Sequence, residues 1–248
     1  MTVSLLQSKT MSAGSGTNTL AATFDTAATA GNALLYCAAL DKNAGVYTLA
    51  GFTQAVFLTS ANVSLLIAWA PAAGGETVIS GTWTGTNSGG SNGYLAEVQD
   101  PDSAGAWEEK ATAGTSADGG GNVTTKTSGT SGTIAALATG GAMAFAAFGV
   151  DSVMTSPAPS YTNSYTGVRS MSSGVAEAGL WVAQLAIAAA GGTTSTTIDR
   201  DPTVTGTVTA DQMAGGLIVL GRATAGAGTP APAPEYRPVR RVRAALVR

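Results

Sequence analysis

The sequence predicts an all-β protein: an antiparallel, jelly-roll-like β-sandwich built from two quasi-repeats, followed by an extended C-terminal arm. Three observations carry this expectation. One hairpin-like stretch is written twice, Val63 to Thr77 (VSLLIAWAPAAGGET) returning as Ala178 to Thr194 (AGLWVAQLAIAAAGGTT). In each copy an apolar run climbs to a Gly-Gly pair, which can take the positive φ of a tight turn, and then falls into a Thr-rich run, so we expect two antiparallel strands and a turn. Thr, Ser, Gly and Val recur in short runs broken by Gly and Asn, a pattern that favours pleated strands over helices. Charged residues make up 11% of the chain while mean hydropathy is +0.20, with apolar content carried by Ala and small β-formers. A surface so poor in charge is expected to be covered by neighbours.

Taken in order, residues 1 to 18 read as an entry strand plus loop, and Thr19 to Phe24 as a short strand. Asn32 to Leu40 is an apolar strand ending in the turn residues Asp41 to Gly45. Val46 to Leu58 is expected to form a strand pair around Gly51. Val63 to Ala70 and Thr77 to Thr84 form the arms of the repeated hairpin, the second with one wet face. Tyr94 to Val98 closes the first half.

Asp100 to Gly121 is the expected boundary, with a linker over 101–120 between quasi-repeats at about 15–100 and 121–222. The second half replays the first: Val123 to Thr127 matches the early strand, and Gly140 to Val150 matches Gly31 to Leu40. Asp151 falls where Asp41 does if one residue is inserted. Tyr161 to Met171 stands in for Val46 to Leu58, and Met213 to Leu220 echoes Gly93 to Val98. A unit of about 110 residues needs a second sheet to cover its apolar face. The halves could form one sandwich together or one sandwich each. The short Ala-rich strands offer little to fill separate cores, so one composite body over 1–228 is the expected arrangement.

Residues 229–248 differ. Thr229 to Pro238 should be extended polyproline II, and Val239 to Arg248 is basic and amphipathic. The arm holds Arg237, Arg240, Arg241, Arg243 and Arg248; with five of the chain's 12 basic groups there, the first 236 residues keep 7 against 15 acidic groups, a net of -8. An acidic body is not expected to bind nucleic acid, which needs clustered positive charge. The five arginines with Tyr236 are the candidate partner-binding residues. They could meet packaged nucleic acid, lie along an acidic neighbour, or only solubilise; Val239, Val242, Leu246 and Val247 between them favour folding onto a protein partner.

Catalytic signatures are missing from the residues themselves. The chain has no histidine and one cysteine, which removes Ser-His-Asp and Cys-His chemistry and leaves zinc without its usual ligands. Cys37 cannot form an intrachain disulfide and is expected to pack as a small hydrophobe. Asp41, Glu76, Glu97, Glu108, Glu109 and Asp151 could in principle pair for glycoside hydrolysis, but all except Glu97 read as solvated turn acids, and Glu97 as a strand residue on a wet face. Asp100, Asp102, Glu108 and Glu109 lack the spacing of a calcium loop, which would need an acid where Ala111 stands. Gly119 to Gly121 has no following Gly-Lys-Ser/Thr for phosphate. Trp69, Trp83, Trp107 and Trp181 could stack sugars or fill cores; Trp107, in the linker beside acids, is the candidate for an exposed, ligand-facing aromatic. No catalytic residue, cofactor or metal site is assigned. The first residues lack a basic and then apolar leader, and apolar runs fall well short of about 18 residues, so neither a signal peptide nor a membrane span is expected.

The doubled GNALL strand, the VSLLIAW…AAGGET hairpin and the closing GYLAEV strand together resemble a family of double-repeat β-sandwich proteins of tailed bacteriophages, notably of actinobacterial hosts, described as minor tail, virion structural or decoration proteins. The resemblance covers roughly residues 15 to 222, and the YRPVRRVR end looks like extensions on such proteins. It implies a non-enzymatic virion component, made in the host cytoplasm, with other capsid or tail subunits as partners. Assembly as a trimer or within a ring, and contact with a host-surface glycan, are further expectations. The rival from another class is a carbohydrate- or receptor-binding module.

Overall fold

The structure, a computed structural model, describes residues 3–41, 45–59, 62–85, 89–116, 125–151, 159–171, 178–199 and 212–224. These residues form antiparallel strands packed as stacked sheets, with no helix among them. The first half holds β1 (Ser4–Ala13), β2 (Thr19–Thr23), β3 (Ala33–Asp41), β4 (Tyr47–Thr48), β5 (Thr53–Thr59), β6 (Val63–Pro71), β7 (Val78–Trp83) and β8 (Ser91–Gln99). The second holds β9 (Trp107–Thr115), β10 (Thr125–Thr127), β11 (Ala142–Asp151), β12 (Ser160–Tyr161), β13 (Thr166–Met171), β14 (Ala178–Ile187), β15 (Thr197–Asp199) and β16 (Met213–Arg222).

The two halves share one strand order. In the first, a five-stranded sheet runs β1-β8-β3-β6-β5 and a three-stranded sheet β2-β7-β4; in the second the orders are β9-β16-β11-β14-β13 and β10-β15-β12. Irregularities coincide too. The edge strand beside β8 bulges at Leu6 and the one beside β16 at Lys110; β5 bulges at Ala55 and β13 at Val168. Gly31 and Gly141, each two residues or fewer before the central strand, both hold positive φ (86° and 82°). Since β3 starts at Ala33 and its register matches β11 from Met143, Gly31 aligns with Gly141, one residue later than the sequence match placed it.

Side-chain alternation along a strand explains the layering. In β3, Leu34, Tyr36, Ala38 and Leu40, with Leu66 of β6, face the three-stranded sheet of the same half, whose Leu20, Tyr47 and Trp83 complete one core layer. Ala33, Leu35, Cys37 and Ala39 point the other way, with Leu65, Ile67 and Tyr94, into a middle layer shared with Phe145, Leu180, Val182, Ile218 and Leu220 of the second half. A third layer, Phe148, Trp181, Leu217, Val219 and Ile198, closes the second half. The five-stranded sheets are therefore covered on both faces, which is why β3 and β6 read as nearly unbroken apolar runs and why β8 is buried from Ser91 to Val98, Glu97 included. The three-stranded sheets keep one wet face, and β2 and β7 alternate buried with exposed residues.

Several expectations are corrected here. Each half closes its own two-sheet body, and the two five-stranded sheets then pack face to face; the halves are not merely the two sides of one sandwich. Ala-rich strands did not forbid separate cores, because aromatic side chains (Tyr36, Tyr47, Phe52, Trp83; Phe148, Tyr161, Trp181) fill the outer layers while Ala lets the sheets approach. The doubled stretch is not a hairpin. β6 pairs with β3 and β5, whereas β7 pairs with β2 and β4, so the Gly-Gly segment is an arch between sheets. Gly74 and Gly75 hold φ near 94° and 92°, and the Glu76 carboxylate accepts the Ala73 and Gly74 N–H groups at 2.7 and 2.8 Å, which stabilises an arch rather than a two-residue turn. Val46 to Leu58 likewise supplies β4 to one sheet and β5 to the other. The linker is shorter than expected, since Trp107–Thr115 is β9, the first strand of the second half; residues 117–124 lie outside the described residues.

Contacts between the five-stranded sheets follow an exchange of halves: β6 lies on β16 as β14 lies on β8, and β3 meets β11 at the centre. The result is a pseudo-twofold stack of four sheets.

Candidate functional site

Tyr236, Arg237, Arg240, Arg241, Arg243 and Arg248 lie outside the described residues, so the structure brings none of them to a site. Of the residues before that segment, β16 ends at Arg222, and Ala223 N–H still donates to Ala106 O at 2.7 Å, beside the start of β9.

Trp107, expected to be exposed, is buried at that point (6% exposed). Its strand starts one residue after the short linker, and β9 must pair with β16, which turns the indole inward; linker position alone misled the expectation. The Trp107 Nε1–H donates to Gly31 O of the first half at 2.9 Å, and the Arg222 guanidinium lies over the indole, 4.4 Å from a ring centroid. Arg222 Nη1 donates to Gly105 O at 2.8 Å. Asp100 is also buried, its Oδ2 and Arg222 Nε have no hydrogen-bond partner, and its charge acts on the Arg222 guanidinium. Burial pulls the Arg222 guanidinium below its ordinary range and Asp100 pulls it back. Chemically this is a clasp: it ties the last strand to the linker and to the first half. Arg222, closing an apolar strand, was the one signal of it in the sequence.

Four of the acids proposed for hydrolysis, Glu97, Glu76, Asp41 and Glu108, have structural partners. Glu97, expected on a wet face, is fully buried (0% exposed) because β8 is covered on both faces. Its carboxylate accepts from Thr29 N–H at 2.8 Å, Asn32 Nδ2 at 2.6 Å and Gln7 Nε2 at 2.5 Å. Burial by itself would raise its pKa, but these donors outweigh it and hold the carboxyl below its ordinary value. Glu76 caps the arch, and Asp41, buried at the end of β3, accepts the Gly89 N–H at 2.6 Å. Glu108 and Glu109 are exposed on β9, where Glu108 meets Lys110 Nζ at 2.7 Å; they were expected in a loop. Among the described residues no group of three or more His, Cys, Asp or Glu side chains could hold a metal ion.

The aromatic side chains are committed to the core. Trp83 stacks on Tyr47 (centroids 5.9 Å apart, planes 8° apart), and Tyr47 and Tyr36 share a hydroxyl contact at 2.5 Å while Tyr36 donates to Leu20 O at 3.1 Å. Burial raises both phenols. In the second half Tyr165 shares a hydrogen bond with Thr194 Oγ1 at 3.0 Å, and burial pushes it to about 12. Trp83 and Trp181 are buried and Trp69 is half-buried, leaving no exposed tryptophan to stack a sugar. Cys37 is buried in the middle layer, and burial raises its thiol far above the ordinary value. An open hollow of about 490 Å³ lies among Gly114, Thr115, Ser116, Thr125, Lys126 and Thr127, where Lys126 Nζ donates to Ser116 O at 2.7 Å.

Comparison with protein-family models, with curated proteins and with solved structures gave no match to this chain.

Proposed function

We propose that the chain is a non-enzymatic structural component of a bacteriophage virion, a minor tail or capsid decoration protein, with its body outermost and residues 229–248 anchoring it to neighbouring subunits. The observation that carries this reading is the use to which the polar side chains are put: Glu97, Glu76 and Asp41 cap backbone and hold strands, and Arg222 over Trp107 secures the end of the last described strand. We read the strand order, with β1-β8-β3-β6 facing β2-β7-β4, as jelly-roll winding, an architecture that recurs in capsid proteins. Two such units fused through an apolar middle layer make a rigid block, and the proposal gives the Pro-rich stretch of the sequence the part of a spacer. The family resemblance of the doubled strands supports the same reading.

The test is deletion of residues 229–248 followed by assembly of particles and measurement of how many copies each particle retains. The proposal expects occupancy to collapse while the body stays folded. Undiminished occupancy would defeat the anchoring role.

A further inference from the structure

The two five-stranded sheets present four edges, β1, β5, β9 and β13. Three carry charge of the kind that keeps an edge from pairing with another chain. β1 has Lys9, whose ammonium meets Asp25 at 2.6 Å, and Gln7 crosses its edge to donate to Thr26 O at 3.0 Å. β9 has Glu108, Glu109 and Lys110, and the Lys110 carbonyl is approached by Ala135 N–H at 3.5 Å. β13 has Arg169.

β5 is different. Its sequence, TQAVFLT, holds no charge and no proline, and the backbone groups that face away from β6 make no hydrogen bond among the described residues. Phe57 and Leu58 stay only half-buried, at the rims of the first and middle core layers. Its one irregularity, the bulge at Ala55, recurs in β13 and so belongs to the shared winding rather than to protection of this edge.

We propose that β5 is a subunit-pairing edge and that its occupant is β5 of a second copy, antiparallel about a twofold axis, so that two five-stranded sheets become one continuous sheet. Charge chooses this occupant. The chain's own C-terminal segment would bring Arg240, Arg241 and Arg243 against Phe57 and Leu58, with no acid on β5 to meet them, whereas a second β5 brings none. Symmetry agrees, because in antiparallel pairing an edge is its own complement under a twofold rotation. The pairing also covers Phe57 and Leu58 of both copies and extends the existing core layers across the seam. One strand pair falls short of the ~1,200 Å² typical of stable complexes, so it is weak between free chains and firm where copies are held side by side. The inference rests on the assembly reading for its purpose, but its test is separate: self-association can fail while tail-dependent incorporation stands.

The experiment is sedimentation equilibrium of the full chain from about 10 μM to about 1 mM, a range that captures weak association. It compares wild type, the double variant Thr53→Lys with Thr59→Lys, and a control with Thr19→Lys and Thr23→Lys on the exposed face of β2. Thr53 and Thr59 are exposed at opposite ends of β5, so antiparallel pairing sets like charges against each other at both ends. The expected result is a wild-type dimer, a dissociation constant raised at least about tenfold by the β5 variant, and no such change in the control. Hydrogen exchange on wild type, which avoids any question of variant folding, should show amides of residues 53–59 slowing as concentration rises. A chain monomeric throughout, a dimer as tight in the β5 variant as in wild type, or exchange over 53–59 that ignores concentration would overturn the proposal.

Discussion

Glu97 shows how a single side chain can be misread and then understood. It interrupts an apolar strand, which in a sheet with one wet face would place it in water; here it satisfies Thr29 N–H, Asn32 and Gln7 inside the first half. Replacing it with Ala leaves the buried Asn32 amide without this acceptor and takes one acceptor each from Thr29 N–H and Gln7, and we expect a loss of about 1–3 kcal/mol in denaturant unfolding at pH 7. The pH dependence has a definite sign. Because the folded carboxyl lies below its ordinary value of 4.5, its stabilisation is complete above that value and is lost as pH falls through the lowered folded value. The gap between wild type and Glu97→Gln should therefore narrow on acidification from pH 7 to about 3; a gap that widens would contradict the assignment. Trp107 makes the companion case. Its truncation to Ala removes a buried indole, a hydrogen bond to Gly31 O and the seat of Arg222, and should cost about 3–5 kcal/mol. Tryptophan emission of the wild type should resist quenching by iodide, which an exposed Trp107 would not.

Strands and their connections were legible in different degrees. Patterning exposed β3, β6, β11, β14 and β16 as long, mostly apolar runs and β8 only as its short stretch Tyr94 to Val98, and it exposed the wet face of β7 through Val78, exposed, beside Ile79, buried. What periodicity does not carry is the partner of each strand. A Gly-Gly segment serves a hairpin and an arch equally well, so the switch of β7 into the other sheet was hidden until register was known. The clasp was hidden for a similar reason: Asp100, Trp107 and Arg222 are distant or unremarkable in sequence and meet only because β9 pairs with β16. The glycines ahead of the central strands give a prediction at this scale. Gly31 and Gly141 share positive φ, but a Cβ at Gly31 meets nothing, whereas one at Gly141 would press on Ile187 O. Gly31→Ala should cost about 1–2 kcal/mol from backbone strain alone, and Gly141→Ala distinctly more. Thermal melts of the two variants decide this, and equal losses would mean that the neighbours yield freely.

The molecule as a whole is held by its middle layer, in which Leu35, Ile67 and Tyr94 of one half interlock with Phe145, Leu180 and Ile218 of the other. Neither five-stranded sheet is then stable with that face bare, so both halves should unfold in one transition. Phe145→Ala, at a fully buried site, should lower stability by about 3–5 kcal/mol and keep the transition single; two separated transitions in wild type would show that the halves stand independently. A block of this kind, uncharged at one edge, is suited to the proposed role of being built into something larger. The direct measurement is imaging of intact particles together with mass analysis of their proteins. The account predicts that the chain is present in purified particles, as a paired-sandwich density on their outer surface. Particles that are complete and infectious with the chain absent would contradict it.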